Sequence, residues 1–409
     1  MRRRLTYLLI LLLTALAVLY LTAPGVDDRI YQSQRDSGEP QNDIPGPQTS
    51  EKYEVALLSP AVPMPWDLEF LPDGNMLITS KRGGVYHFDG QQTTQILNLT
   101  PFIAGHTGLM GMAIDTRFAA NAWVYLYYTH GAGGNIEGVT TGDEEAVRSR
   151  IVRFRLRGRK LQFDKILLDD IPGSFQHAGG GLEFGPDDAL YATTGDADHA
   201  DKAADISFLG GKILRMDREG KPLPDNPISG SLVYTSGHRN PQGLAWQPGT
   251  GIAFDAEHGA FRHDEVNLLI PGADYGWDKL SCDKRRVRGL RRVWFQLALW
   301  LPESFTRVAS EMPAYCPETW NMAPSQMTFV DEADHPWFGD LFVGSLVGQH
   351  VRRFVISPTG VVQRSEIFFQ GLDDSGPTRI RDVEFFAGDL YLLGDGAGLA
   401  RLRPVASVD

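Results

Sequence analysis

Residues 181–196 read GLEFGPDDALYATTGD. A short apolar arm runs into a Gly-Pro-Asp-Asp turn and out along a second apolar arm, and alternation of period two on both arms describes a β-hairpin. The phrase returns at 68–79 (LEFLPDGNMLIT), 111–129 (GMAIDTRFAANAWVYLYYT), 243–259 (GLAWQPGTGIAFDAEHG), 327–346 (MTFVDEADHPWFGDLFVGSL) and 383–398 (VEFFAGDLYLLGDGAG). Further strand-like runs, such as 150–156 and 351–356, fall between copies. Six hairpins with extra strands between them predict four-stranded blades. Blades repeated radially make an all-β, six-bladed β-propeller.

Composition agrees with this. The chain has 409 residues, which one large all-β domain accommodates. Its 44 Gly and 25 Pro sit in turn dipeptides along the whole length, which suits short strands and not a helix bundle. A net charge of −12 argues against a nucleic-acid partner, because phosphate binding needs a cationic face. The only cysteines, Cys282 and Cys316, exclude a disulfide-rich scaffold or a thiolate metal cluster.

The amino terminus bears on location. Arg2, Arg3 and Arg4 precede an apolar run from Leu5 to Leu21, at the lower edge of a bilayer-spanning length. A cleaved signal peptide has the same layout, but Pro24 just after the run disfavours cleavage. The segment therefore reads as one transmembrane signal-anchor helix of the inner membrane. Its arginines stay cytoplasmic and the remainder is periplasmic, or secreted if the segment is removed. The expected division is 1–23 anchor or signal peptide, 24–51 flexible linker, and 52–409 propeller. An insert at about 280–316 breaks the repeat: Lys284 to Arg292 carry six basic residues, followed by the aromatic and aliphatic run Val293 to Leu301. It reads as a helix on the rim or as an interfacial segment on anionic lipid. Cys282 and Cys316 bracket it, and an oxidising compartment favours a disulfide closing it.

Four polar clusters fall in loops, where propellers place their chemistry. They are 176–180 with His177, 237–243 with Arg239 and Asn240, the run 257–277, and 379–383 with Arg379 and Arg381. Arg379 and Arg381, two apart, point the same way on a strand and join Arg239 as a pocket for a polycarboxylate or phosphate. Asp264, Glu265 and Asn267, beside the glycine turns of 272–276, are hard oxygen ligands suited to calcium. His177 is the candidate base.

The phrases HAGGGLEFGPDDALYATTGD, GHRNPQGLAW, EHGAFRHDEVNLLIPGADYGW and RIRDV resemble the PQQ-dependent aldose sugar dehydrogenases of the glucose/sorbosone dehydrogenase family, in that family's order, from about Tyr53 to Pro404. The resemblance implies a quinoprotein that oxidises the C1 hydroxyl of an aldose to a lactone and passes electrons to a respiratory quinone or cytochrome. Arg239, Asn240, Arg379 and Arg381 match residues that hold pyrroloquinoline quinone (PQQ), and His177 matches the general base. Carbonyls of Gly259 and Ala260 match ligands of the calcium on the cofactor. Glu265 and Tyr275 match ligands of a second calcium. Three positions depart from the family: Val347 stands where a Lys is expected, His106 where a Gln is expected, and Gly181 where an Arg is expected. His106 then takes the Gln's place at the cofactor. The departures leave two other classes open, a non-catalytic binding propeller and a calcium-dependent lactonase whose carboxylates would converge on one metal.

Overall fold

In the computed structural model, residues 49, 52–131, 147–260, 263–277, 315, 322–370, 376–396 and 398–405 are described. They form six antiparallel sheets. Blade one holds Pro65–Phe70, Met76–Ser80, Gly84–Phe88 and Thr93–Asn98. Blade two holds Leu109–Ile114, Trp123–Gly131, Val147–Arg157 and Lys160–Pro172. Blade three holds Leu182–Phe184, Leu190–Thr194, Lys212–Met216 and Val233–Ser236. Blade four has three strands among the described residues, Pro241–Trp246, Ala253–Glu257 and Glu265–Leu268. Blade five holds Pro324–Phe329, Leu341–Ser345, His350–Ile356 and Val362–Gln370. Blade six runs Pro377–Phe386, Asp389–Gly396 and Leu399–Pro404, and Tyr53–Leu58 is its outer strand.

The first strand of each blade packs on the first strands of its neighbours, and that of blade six packs on that of blade one. The ring is closed, and the expected six-bladed propeller is what forms. Each repeated phrase is the inner hairpin of one blade. The closing strand pairs Tyr53 with Pro404 and Leu58 with Leu399, so the last blade's outer edge is covered by the start of the chain.

Apolar faces meet between blades. Leu77, Val85 and Ile96 of blade one pack on Met112, Leu126 and Val152 of blade two, and Tyr125, Tyr127 and Ile151 of blade two pack with Leu182, Leu190 and Leu214 of blade three. The inner strands carry acids instead. Asp67 of blade one accepts from Met112 of blade two at 3.2 Å and Gln326 of blade five at 3.3 Å, and Asp382 of blade six accepts from the Leu68 amide at 2.6 Å. Burial pushes Glu183 up to about 8 and Asp382 to about 7.

The apolar run at 5–21, the basic and aromatic insert, and both cysteines lie outside the described residues. No helix among the described residues is long and apolar enough to cross a membrane.

Candidate active site

Antiparallel pairing sets the start of each blade's first strand beside the end of its second. The segments flanking the inner hairpins therefore gather at one mouth of the ring. His106, His177 and the Arg239-Asn240 pair precede the first strands of blades two, three and four, and Arg379 and Arg381 begin that of blade six. Lys81, Asp196 and His258 follow the second strands of blades one, three and four.

His177 is buried, with its backbone in the left-handed region at φ 49°. Its Nδ1 lies 2.8 Å from Asp196 Oδ1 and 3.3 Å from Asp198 Oδ1. Asp196 is itself held: Trp277 Nε1 donates to its Oδ2 at 2.6 Å, and its amide donates to the Arg239 carbonyl at 2.7 Å. With Nδ1 engaged by a carboxylate, Nε2 is the ring atom left to take a proton.

The cations converge around this base. Burial depresses His106 to about 4, helped by His177, Lys81, Arg239 and Arg379, so the ring is neutral at pH 7 and stands among positive charges. Burial lowers Lys81 too, with further push from Arg381 and Arg379. Lys81 Nζ donates to the Gly105 carbonyl. Lys81 and Arg381 both approach the Trp66 indole, at 5.8 and 5.2 Å. The nearby acid is Asp395, which Arg381 grips at 3.1 and 2.9 Å and which lies 3.6 Å from Arg379. One carboxylate facing Lys81, Arg379 and Arg381 leaves an excess of positive charge for an anionic ligand.

Two donors at the same mouth make the point independently. Arg239 donates Nη1 to the His258 carbonyl at 3.1 Å and lies 5.3 Å from the Trp277 ring, yet its buried Nε has no partner among the described residues. Asn240 accepts the Gly179 amide at 3.0 Å while its buried Nδ2 has no partner among them. Buried unpaired donors are costly unless a ligand supplies acceptors. The fit is to a molecule carrying several carboxylates.

Beside Arg239, a small cavity is lined by Glu257, Gly259, Ala260, Glu265, Tyr275 and Trp277 among others, so all four expected metal positions face one space. Tyr275 commits its hydroxyl, donating to the Leu268 carbonyl at 2.6 Å and accepting from the Ile270 amide at 2.9 Å. Its contribution to a metal would be the backbone carbonyl. Burial and mutual repulsion push Glu265 well up, and burial pushes its neighbour Glu257 to about 8.

Two departures read differently in three dimensions. Val347 is exposed beyond the second strand of blade five. Gly181 is not a lost arginine: a Cβ there would lie 2.4 Å from the Gln242 carbonyl oxygen, so the blade contact requires glycine. Lys81 lies outside the motifs read from the sequence, and Asp196, Trp277 and His258, though inside them, were given no role there. The rule that second-strand ends share the mouth with first-strand starts would have found Lys81, Asp196 and His258.

The model of the family described as Glucose / Sorbosone dehydrogenase matches residues 62–402. Aldose sugar dehydrogenase YliI of Escherichia coli is 29% identical over 360 residues, covering 83% of this chain and 90% of that protein. Quinoprotein glucose dehydrogenase B of Acinetobacter calcoaceticus is 28% identical over 263 residues, 57% of this chain and 54% of that protein. Among solved structures, the PQQ-bound aldose sugar dehydrogenase of Streptomyces coelicolor is 25% identical. It superposes with a TM-score of 0.67 over 88% of this chain and 99% of that one.

Proposed function

Because this chain belongs to the glucose/sorbosone dehydrogenase family, we propose that it is a PQQ- and calcium-dependent dehydrogenase that oxidises the anomeric C1 hydroxyl of aldoses to lactones. The observation that carries this is the mouth itself: a carboxylate-held His177 near Lys81, Arg379 and Arg381, which share the single acid Asp395, with orphaned donors on Arg239 and Asn240. Arg239, Asn240, Arg379, Arg381, His106 and Lys81 would hold the cofactor's carboxylates and ring oxygens. Gly259, Ala260, Glu265 and Tyr275 would offer oxygens to calcium. When bound, the quinone supplies the hydride acceptor and calcium the Lewis acid that polarises it.

What the chain itself does is acid–base and positioning work. His177 Nε2 takes the proton of the C1 hydroxyl as hydride leaves C1, and Asp196 stabilises the imidazolium that forms. Trp277 keeps Asp196 oriented by its 2.6 Å bond. A binding propeller without chemistry has no use for a buried His–Asp–Trp chain. A lactonase would need several carboxylates free to converge on one catalytic metal, whereas Asp196 is engaged by His177 and Trp277 and Asp395 by Arg381. The N-terminal arginines and apolar run support an inner-membrane anchor with the propeller in the periplasm, near a respiratory quinone or cytochrome acceptor.

The test is reconstitution. Purified protein given PQQ and calcium should reduce a redox dye with aldoses and not without the quinone. Dye reduction unaffected by the quinone, or absent with every aldose, would overturn the assignment.

A further inference from the structure

In blade four, Asp255 faces Asn267 across the second and third strands, and Glu257 faces Glu265 one step along. Residues two apart on a strand share a face, so four oxygen-bearing side chains form a square on one side of the sheet. His238, from the segment before the first strand, closes it. Asp255, Asn267 and His238 are fully buried. Neither oxygen of Asp255 and neither amide atom of Asn267 completes a well-formed hydrogen bond among the described residues, although the Asn267 amide is near enough to Asp255 and Glu265 to favour their charged forms. A buried carboxylate and a buried amide so loosely satisfied are expensive.

The histidine is set as a ligand would be. Its Nε2 lies 2.9 Å from Thr235 Oγ1, and donation there leaves a lone pair on Nδ1. Nδ1 lies 3.1 Å from Glu257 Oε2, which it hydrogen-bonds in the other tautomer, and 3.9 Å from Asp255 Oδ2, and the same Glu257 oxygen accepts the Arg239 amide at 3.3 Å. One ligand atom from each of the three residues falls within 4.8 Å of the others. A separation near 3 Å is the edge between neighbouring ligands whose bonds to a common ion are roughly 2.1 Å. The Tyr275 ring stacks on His238 at 4.5 Å. Lys212 spends its ammonium on the carbonyls of Ala203 and Gly210.

We propose that blade four holds a first-row divalent transition ion between His238 Nδ1, the carboxylates of Asp255 and Glu257, and the Asn267 amide oxygen. Imidazole nitrogen with carboxylate and amide oxygens suits manganese(II) or zinc(II) better than calcium or magnesium. The site is a structural clasp that shares Glu257 with the lining of the cavity beside Arg239. It ties the second and third strands to the segment that continues as Arg239 and Asn240, and so fixes the pair that reaches the mouth. It rests on blade four and the segment that enters it, and not on the dehydrogenase reading.

The test uses the full chain without PQQ, stripped by chelator, saturated with calcium to fill oxygen-only sites, then titrated with manganese(II). Electron paramagnetic resonance should count one further bound ion per chain, and pulsed measurements should show nitrogen coupling from a histidine. Asp255→Asn should weaken that binding at least ~10-fold, as should Asn267→Leu, which is of similar size. The nitrogen signal should survive His263→Gln, since His263 lines the neighbouring cavity. No nitrogen-coupled ion in the natural protein, or unchanged affinity in a folded Asp255→Asn or Asn267→Leu variant, overturns the proposal.

Discussion

His177 presents Nδ1 to Asp196 Oδ1 at 2.8 Å, and the other oxygen of that carboxylate receives the Trp277 indole N–H. The contact fixes which ring nitrogen is available and joins blade three to the segment after blade four. A base fixed in this way spends no orientational entropy when substrate arrives.

Replacing His177 with Ala should cut turnover by ~10²–10⁴ while leaving PQQ affinity nearly intact. Asp196→Asn should lower kcat with KM for the sugar little changed, because it disturbs the ring's tautomer and not the sugar's contacts. Steady-state kinetics on reconstituted protein decide both. Full activity in His177→Ala would remove the base from the mechanism.

Lys81 is the cation that the motif reading did not supply. Lys81→Met should weaken PQQ binding by about 1.5–3 kcal/mol, the worth of a hydrogen bond to a charged group, or roughly 10–150-fold in Kd. Adding Val347→Lys should recover part of that loss if Val347 reaches the same carboxylates. Calorimetric titration with PQQ measures both. An unchanged Kd in Lys81→Met would confine the lysine to its bond with Gly105.

His106 sets an acid limit. Its ordinary value is about 6.5 and burial holds it at about 4. Between those values the unfolded chain carries the proton and the folded chain does not, so stability falls as pH drops through that window. His106→Gln removes this contribution, and the slope of Tm against pH from about 6.5 to 4 should become shallower than in the natural protein. Parallel slopes would mean that the ring is protonated in the fold.

Calcium should stabilise as well as activate. A metal bound only by the folded chain raises stability by RT ln(1 + [L]/Kd), so chelation should lower Tm and abolish activity. Calcium should restore both, while magnesium, which demands stricter geometry, should do so poorly. Glu265→Gln should blunt the calcium response in thermal melts while sparing turnover more than His177→Ala does. The same midpoint with and without chelator would leave the cavity beside Arg239 without a metal.

The inner hairpins were legible because both arms alternate and end in Gly, Pro and Asp turns, as in Leu182–Phe184 and Leu190–Thr194. Outer strands were not: Lys160–Pro172 leaves Phe163 exposed and follows no clean period. At the site, residues in the polar loop clusters were visible, as His177 and Arg239 were. Asp196, though it ends the hairpin phrase 181–196, and Lys81 had no visible role, because their roles depend on ring closure. Trp277 meets Asp196 across 81 positions of sequence, and Lys81 is pressed by Arg379 and Arg381 from the far end of the chain. Gly181 shows the opposite failure: a residue read as a missing cation is required by a backbone contact with Gln242.

The most direct measurement is a single turnover without oxygen or added acceptor. Protein loaded with PQQ and calcium is mixed with an aldose, and the absorbance of the bound quinone is followed. The oxidised quinone should bleach stoichiometrically with lactone formed in equal amount, slowed by ~10²–10⁴ in His177→Ala. A quinone that binds at the mouth yet stays oxidised with every aldose tried would contradict the mechanism.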